Sequence, residues 1–177
     1  SLYRPWTQEL YLLLAHLRVN VLRSGLTFLD KALAVSEARR LLAEEQGGSD
    51  ITQTQLAASL RERGFALSQG LISQMAYTVD RLLPLILTAL KGGMGRPQVE
   101  RIRQLERAAQ SIWRQHSLDS DDDFEQTFVA LCRRYDDSEW DINNLRRALE
   151  AEIAERADIS IHAISIALDS HLVGNAS

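Results

Sequence analysis

The 177-residue sequence predicts an all-α protein, multi-helical, with a helix-turn-helix as its core. Three observations carry that expectation. Apolar residues recur three and four apart in segment after segment, as in Leu10, Leu13, Leu14 and Leu17, and again in Ile142, Leu145, Leu149 and Ile153. Short polar side chains precede these stripes at Thr7, Thr52, Ser68, Asp141 and Ser160, where an oxygen can accept from the free amides of a first helical turn. Glycine or proline follows them, at Gly25, Gly47-Gly48, Gly64 and Pro84.

Taken in order, residues from about Trp6 to Leu22 form an amphipathic helix that either covers the local core or packs on a partner chain. Leu29, Leu33, Ala38, Leu41 and Leu42 mark a second helix ending near Gln46-Gly47-Gly48, and a short polar link leads from it to Ile51. Residues 51–84 then read as the helix-turn-helix. Its first helix is capped by Thr52, starts at Gln53 and carries the stripe Leu56, Ala57, Leu60; Gly64-Phe65-Ala66-Leu67 is the turn. Ser68 caps the second helix, whose inner face is Leu71, Ile72, Met75, Ala76, Val79, Leu82 and Leu83, and Pro84 ends it. The opposite face holds Gln69, Gly70, Ser73, Gln74, Tyr77 and Arg81. Helix faces that only meet water usually carry Lys and Glu. A face of amides and hydroxyls suits base edges in a major groove.

Beyond Pro84, Leu85 to Leu90 reads as a short helix. Gly92-Gly93-Met94-Gly95 is a turn or a phosphate cradle; it lacks the Lys-Ser/Thr of a P-loop and no strand precedes it. The helix opening near Pro97 displays Arg96, Arg101, Arg103 and Arg107, either to phosphate or to solvent. Asp119 to Asp123 alternate like calcium ligands, but the sixth loop position is Phe124 and the twelfth is Ala130, so these acids read instead as the favourable charges at a helix start. That helix continues through Phe128, Leu131 and Cys132. Asp141 opens the next, with Arg146, Arg147, Glu150 and Glu152 off its apolar stripe. Ile159 to Val173 starts with strand-like alternation but is expected to be helical, capped by Ser160.

The net charge of −4 hides a division: residues 1–115 carry 15 basic and 10 acidic side chains, residues 116–177 five basic and 14 acidic. This suggests a helical DNA-binding region over 1–115 and an acidic carboxy-terminal region over 116–177 for dimerisation or interaction. A single cysteine excludes an internal disulfide, and no apolar run approaches the roughly 18 residues needed to span a membrane. His16, His116, His162 and His171 lack metal-ligand spacing, and Asp136-Asp137 reads as a solvated pair. No catalytic constellation and no cofactor site is found, and a cytoplasmic, nucleoid-associated location is expected. With no initiating methionine and a helical pattern at its first residues, the sequence also reads as part of a longer protein.

Thr52-Gln53, Leu56-Ala57, Leu60, Ser68, Ile72 and Leu83-Pro84 resemble the helix-turn-helix of ParB-type chromosome and plasmid partition proteins. Upstream, Asn20-Val21-Leu22-Arg23-Ser24-Gly25-Leu26 is similar to that family's E-N-x-x-R-x-x-L segment, with Val19 where the family has Glu. The connection between the two helices is also longer than the family's. The variant is most similar to the ParB proteins of integrating conjugative elements, with Gly93 to Gln98 opening the next helix. The resemblance implies binding to double-stranded DNA, a homodimer, a ParA-type ATPase partner, and CTP binding and hydrolysis in a domain mostly upstream of Ser1, hence no enzyme activity in this chain. It places Gln69, Ser73, Gln74 and Tyr77 at the bases, with Ser68 and Gly70 beside them, and Thr52, Gln53, Arg61, Arg63 and Arg96 at phosphate. Two other functions fit the same residues: a dimeric transcriptional repressor, and a helical protein-interaction module without DNA affinity.

Overall fold

The computed structural model describes residues 5–22, 26–116 and 120–176, with the side chains of 5–7, 20–22 and 175–176 excepted. Among the described residues there is no strand. The order is α1 Pro5–Leu22, α2 Phe28–Glu45, α3 Gln53–Glu62, α4 Gln69–Tyr77 running into a π-helical turn Thr78–Leu82, α5 Leu87–Lys91, α6 Arg96–Gln115, α7 Asp121–Arg134, α8 Ile142–Ala157 and α9 Ile161–Ala176. None of these helices is long and apolar enough to cross a membrane. The Asn20 to Gly25 segment lies outside the described side chains.

The chain divides into two compact units, Ser1–Pro84 with Gly93–Gly95, and Leu85–Gly92 with Arg96–Ser177. The division falls at Pro84 and not at the change of charge near residue 115. The reason is α6: it buries Val99, Ile102, Leu105, Ala109, Ile112 and Trp113, and it packs with α7, α8 and α9.

In the first unit α2 is the central helix, in contact with α1, α4 and the π turn, while α3 packs on α4. Thr27 opens α2 with a reciprocal capping box to Asp30. The core joins Leu10 and Leu14 of α1 to Val35, Leu41 and Leu42 of α2, Leu56 and Leu60 of α3, and Ile72 and Met75 of α4. α4 does not stay α-helical to Leu83. Thr78 is wholly buried and its hydroxyl donates to the Gln74 carbonyl at 2.8 Å, while the Leu83 N–H reaches back five residues to the Thr78 carbonyl at 2.8 Å. Back-bonding by threonine bends a helix, and Pro84 offers no N–H to continue the ladder, so the last turn widens.

The second unit is centred on an aromatic cluster. Trp113 meets Phe124 edge-on with centroids 5.4 Å apart, Phe124 stacks with Phe128 at 6.0 Å, and the Arg156 guanidinium covers Trp113 at 4.8 Å. Ser120 and Asp123 form a capping box for α7, whose first turn also holds Asp121 and Asp122. Asp141 caps α8. Ser160 accepts from Ala163 and opens α9 as a helix that buries Ile164 and Leu168.

Two expectations are corrected here. Glu150 does not lie off the stripe: it is only 6% exposed, its carboxylate 3.7 Å from Arg146, which in turn reaches Asp169 of α9 at 2.6 Å. Asp136 is not merely solvated: its carboxylate accepts from the backbone N–H groups of Thr88 at 3.2 Å and Ala89 at 2.8 Å, capping α5 from 47 residues away. The glycine run next to α5 has a packing cause at Gly92, where an added Cβ would stand 3.1 Å from the Ser138 carbonyl oxygen.

Candidate nucleic-acid interface

The α3–α4 pair begins with a fixed entry. Arg39 of α2 donates to the Ile51 carbonyl from Nη2 at 2.6 Å and from Nε at 3.1 Å, holding the chain just ahead of the α3 cap. The Thr52 hydroxyl accepts from the Gln55 N–H at 3.1 Å, and the Gln55 side chain accepts from the Thr52 N–H at 2.8 Å. That leaves the hydroxyl proton of Thr52 for an outside acceptor. Gln53 follows, half-buried.

The connection between the helices spans residues 63–68, longer than the three or four residues usual in a helix-turn-helix. Gly64 turns the chain with φ +91°, a conformation that costs glycine little. Arg18 of α1 closes over the turn: its Nη2 donates to the Arg63 carbonyl at 3.1 Å and its guanidinium lies 5.3 Å from the centre of the Phe65 ring. Sequence reasoning missed Arg18. The one signal was Phe65, an aromatic residue in a turn, which needs something to pack against.

Ser68 caps α4 by accepting from the Leu71 N–H at 3.1 Å. The Gln69 amide donates to the Thr54 hydroxyl at 3.2 Å, so the first residue of α4 is tied to the first turn of α3. Ile72 and Met75 are buried, whereas Gln69 and Gly70 are exposed and Ser73, Gln74 and Tyr77 are half-buried. These five share the outward side of α4, a helix without a charged residue. Gly70 has no steric cause within the chain, since an added Cβ would meet nothing nearer than the Ser68 hydroxyl at 4.0 Å.

The residues expected at phosphate are distributed less evenly. Arg61 is exposed at the end of α3. Arg63 is engaged inside the unit, its guanidinium donating to the Ser59 carbonyl at 3.0 Å and standing 3.4 Å from Glu45. Arg96 belongs to the second unit as the first residue of α6, and is exposed. Ten of the eleven expected residues therefore lie in the first unit and one in the second. Among the described residues no three His, Cys, Asp or Glu side chains converge as a metal site. No protein-family model, no curated protein and no solved structure matches the chain.

Proposed function

We propose that the chain is a sequence-specific DNA-binding protein of ParB-like character that presents α4 to the major groove of duplex DNA. Its role would be partition or maintenance of a plasmid or mobile element, acting as a homodimer with a ParA-type ATPase. The observation that supports the reading best is the outward side of α4, an uncharged surface of amide and hydroxyl groups backed by buried Ile72 and Met75. A glutamine there pairs with adenine through two hydrogen bonds, worth roughly 1–3 kcal/mol of discrimination. Gly70 fits the same reading, because its missing side chain lets backbone approach a ligand closely.

The test is selection from a pool of randomised duplexes at moderate salt, followed by sequencing. An enriched inverted repeat supports dimeric recognition; the absence of any enriched sequence overturns the reading. On the selected site, Gln74→Ala loses roughly 1–3 kcal/mol of preference while nonspecific binding stays. Gly70→Ala weakens specific binding although it stabilises α4 itself by about 0.5–1 kcal/mol.

A further inference from the structure

The first unit contains a cleft of about 330 Å³ between α2 and the inner side of α4, away from the Gln74 face. Small-molecule sites begin at roughly this size, about 300 Å³. Its floor is Ala32, Val35, Leu56, Ile72 and Met75, all apolar.

The two walls differ in charge. On α2, Arg39 has a side chain only 27% exposed. It holds the Ile51 carbonyl closely, but it meets Asp50 only at 3.3 and 3.5 Å, and Asp50 is 78% exposed. A carboxylate entering the cleft can replace so weak a partner. The second arginine of this wall, Arg40, is already matched by hydrogen bonds to Glu37 and Glu44. On the other side Asp80 reaches the cleft from the π turn; it is exposed and forms no ion pair with a described residue.

The cleft thus offers one cation with a replaceable partner, one carboxylate without an ion-pair partner among the described residues, and an apolar floor between them. A simple organic anion would face Asp80 and Asp50 uncompensated. A simple amine would leave Arg39 unused. We propose that this cleft binds a small zwitterion of the α-amino-acid class with an apolar side chain: its carboxylate at Arg39, its ammonium group at Asp80, and its side chain on Val35, Ile72 and Met75. The site is independent of DNA reading and needs no DNA to be tested.

The experiment is titration of the chain with L-leucine, L-methionine and L-phenylalanine, followed by calorimetry and by the Met75 methyl resonance. Isoamylamine and 4-methylpentanoate serve as the amine-only and acid-only analogues of leucine. Saturable binding of at least one amino acid is expected, with both leucine analogues weaker than leucine by about tenfold or more if leucine is the ligand. Asp80→Asn removes an exposed carboxylate that forms no ion pair with a described residue, and leaves the fold intact. It lowers amino-acid affinity by about tenfold and does not weaken 4-methylpentanoate. The proposal is overturned if no amino acid binds saturably at millimolar concentration, if the analogues bind as well as leucine, or if Asp80→Asn changes nothing.

Discussion

The outward faces of α4 and α6 meet solvent in opposite ways. Both helices bury one apolar side, Ile72 and Met75 in α4, Val99 to Trp113 in α6. The remainder of α6 is charged, with Arg96, Glu100, Arg101, Arg103, Glu106 and Arg107, whereas α4 shows Gln69, Gly70, Ser73, Gln74 and Tyr77. Charged side chains hydrate well and interact along the helix at three- and four-residue spacing, so a face like that of α6 is stable without any partner. A face of amides and hydroxyls forgoes that advantage and gains directed donors and acceptors. Amphipathicity is common to both helices; only the chemistry of the polar side separates a helix that needs water from one suited to a ligand.

Charge follows the same division. The first unit carries nine basic and eight acidic side chains and is nearly neutral, while the second carries 11 and 16. Most of the basic excess in residues 1–115 thus belongs to α5 and α6 and not to the unit holding α4. Within the first unit Arg40 and Arg63 are already matched by carboxylates, and Arg39 is paired weakly with exposed Asp50. DNA affinity carried by α4 alone would therefore rest on hydrogen bonds more than on released counterions, and would fall only shallowly with salt.

The contrast between the units can be broken most forcefully at Trp113, which is 1% exposed. Trp113→Ala should cost about 3–5 kcal/mol. Amide exchange should then accelerate in α6 to α9 while the protected amides of α3 keep their rates. Equal acceleration in both would show that the units do not unfold separately.

Gly64→Ala tests the first unit in the same manner. Alanine is strained at φ +91°, and its Cβ would stand 2.6 Å from the Arg18 guanidinium, so a loss of about 1–2 kcal/mol in denaturant unfolding is expected. Asp136→Ala leaves the Thr88 and Ala89 N–H groups without their acceptor. It should lower the stability of the second unit by about 1 kcal/mol, and Asp136→Asn, which keeps a carbonyl acceptor, by less.

The smallest effect is that of acid, and it touches both units. A hydrogen bond from Arg40 holds the Glu37 carboxyl below its usual range, and one from Arg114 does the same for Asp121. A carboxyl depressed in the folded state stabilises at pH above its unfolded pKa, and that contribution disappears as pH falls through the folded value. Both pairs are solvent-exposed, so the losses are slight and confined to below about pH 4. NMR titration should find both carboxyls depressed in dilute buffer, and strong salt should move them back toward ordinary values.

Much of this architecture was legible because it is local. Thr52, Ser68, Asp141 and Ser160 cap the helices that their positions announce, and Gly64 ends α3. Asp121, Asp122 and Asp123 stand in the first turn of α7, where its dipole favours them. The polar side of α4 was equally legible, since the positions sharing a face follow from a period of 3.6 residues. The π turn was not: it depends on how Thr78 is buried.

The sequence by itself determined the all-α class, the helix starts and stops, and which side of α4 is polar, because capping and periodicity act over a few residues. Only the tertiary structure decided that α6 joins the second unit, that Asp136 caps α5, that Arg18 closes the turn after α3, and that Arg63 is engaged within the fold. Each of those contacts links residues far apart in the chain, and its partner is chosen by how whole helices pack.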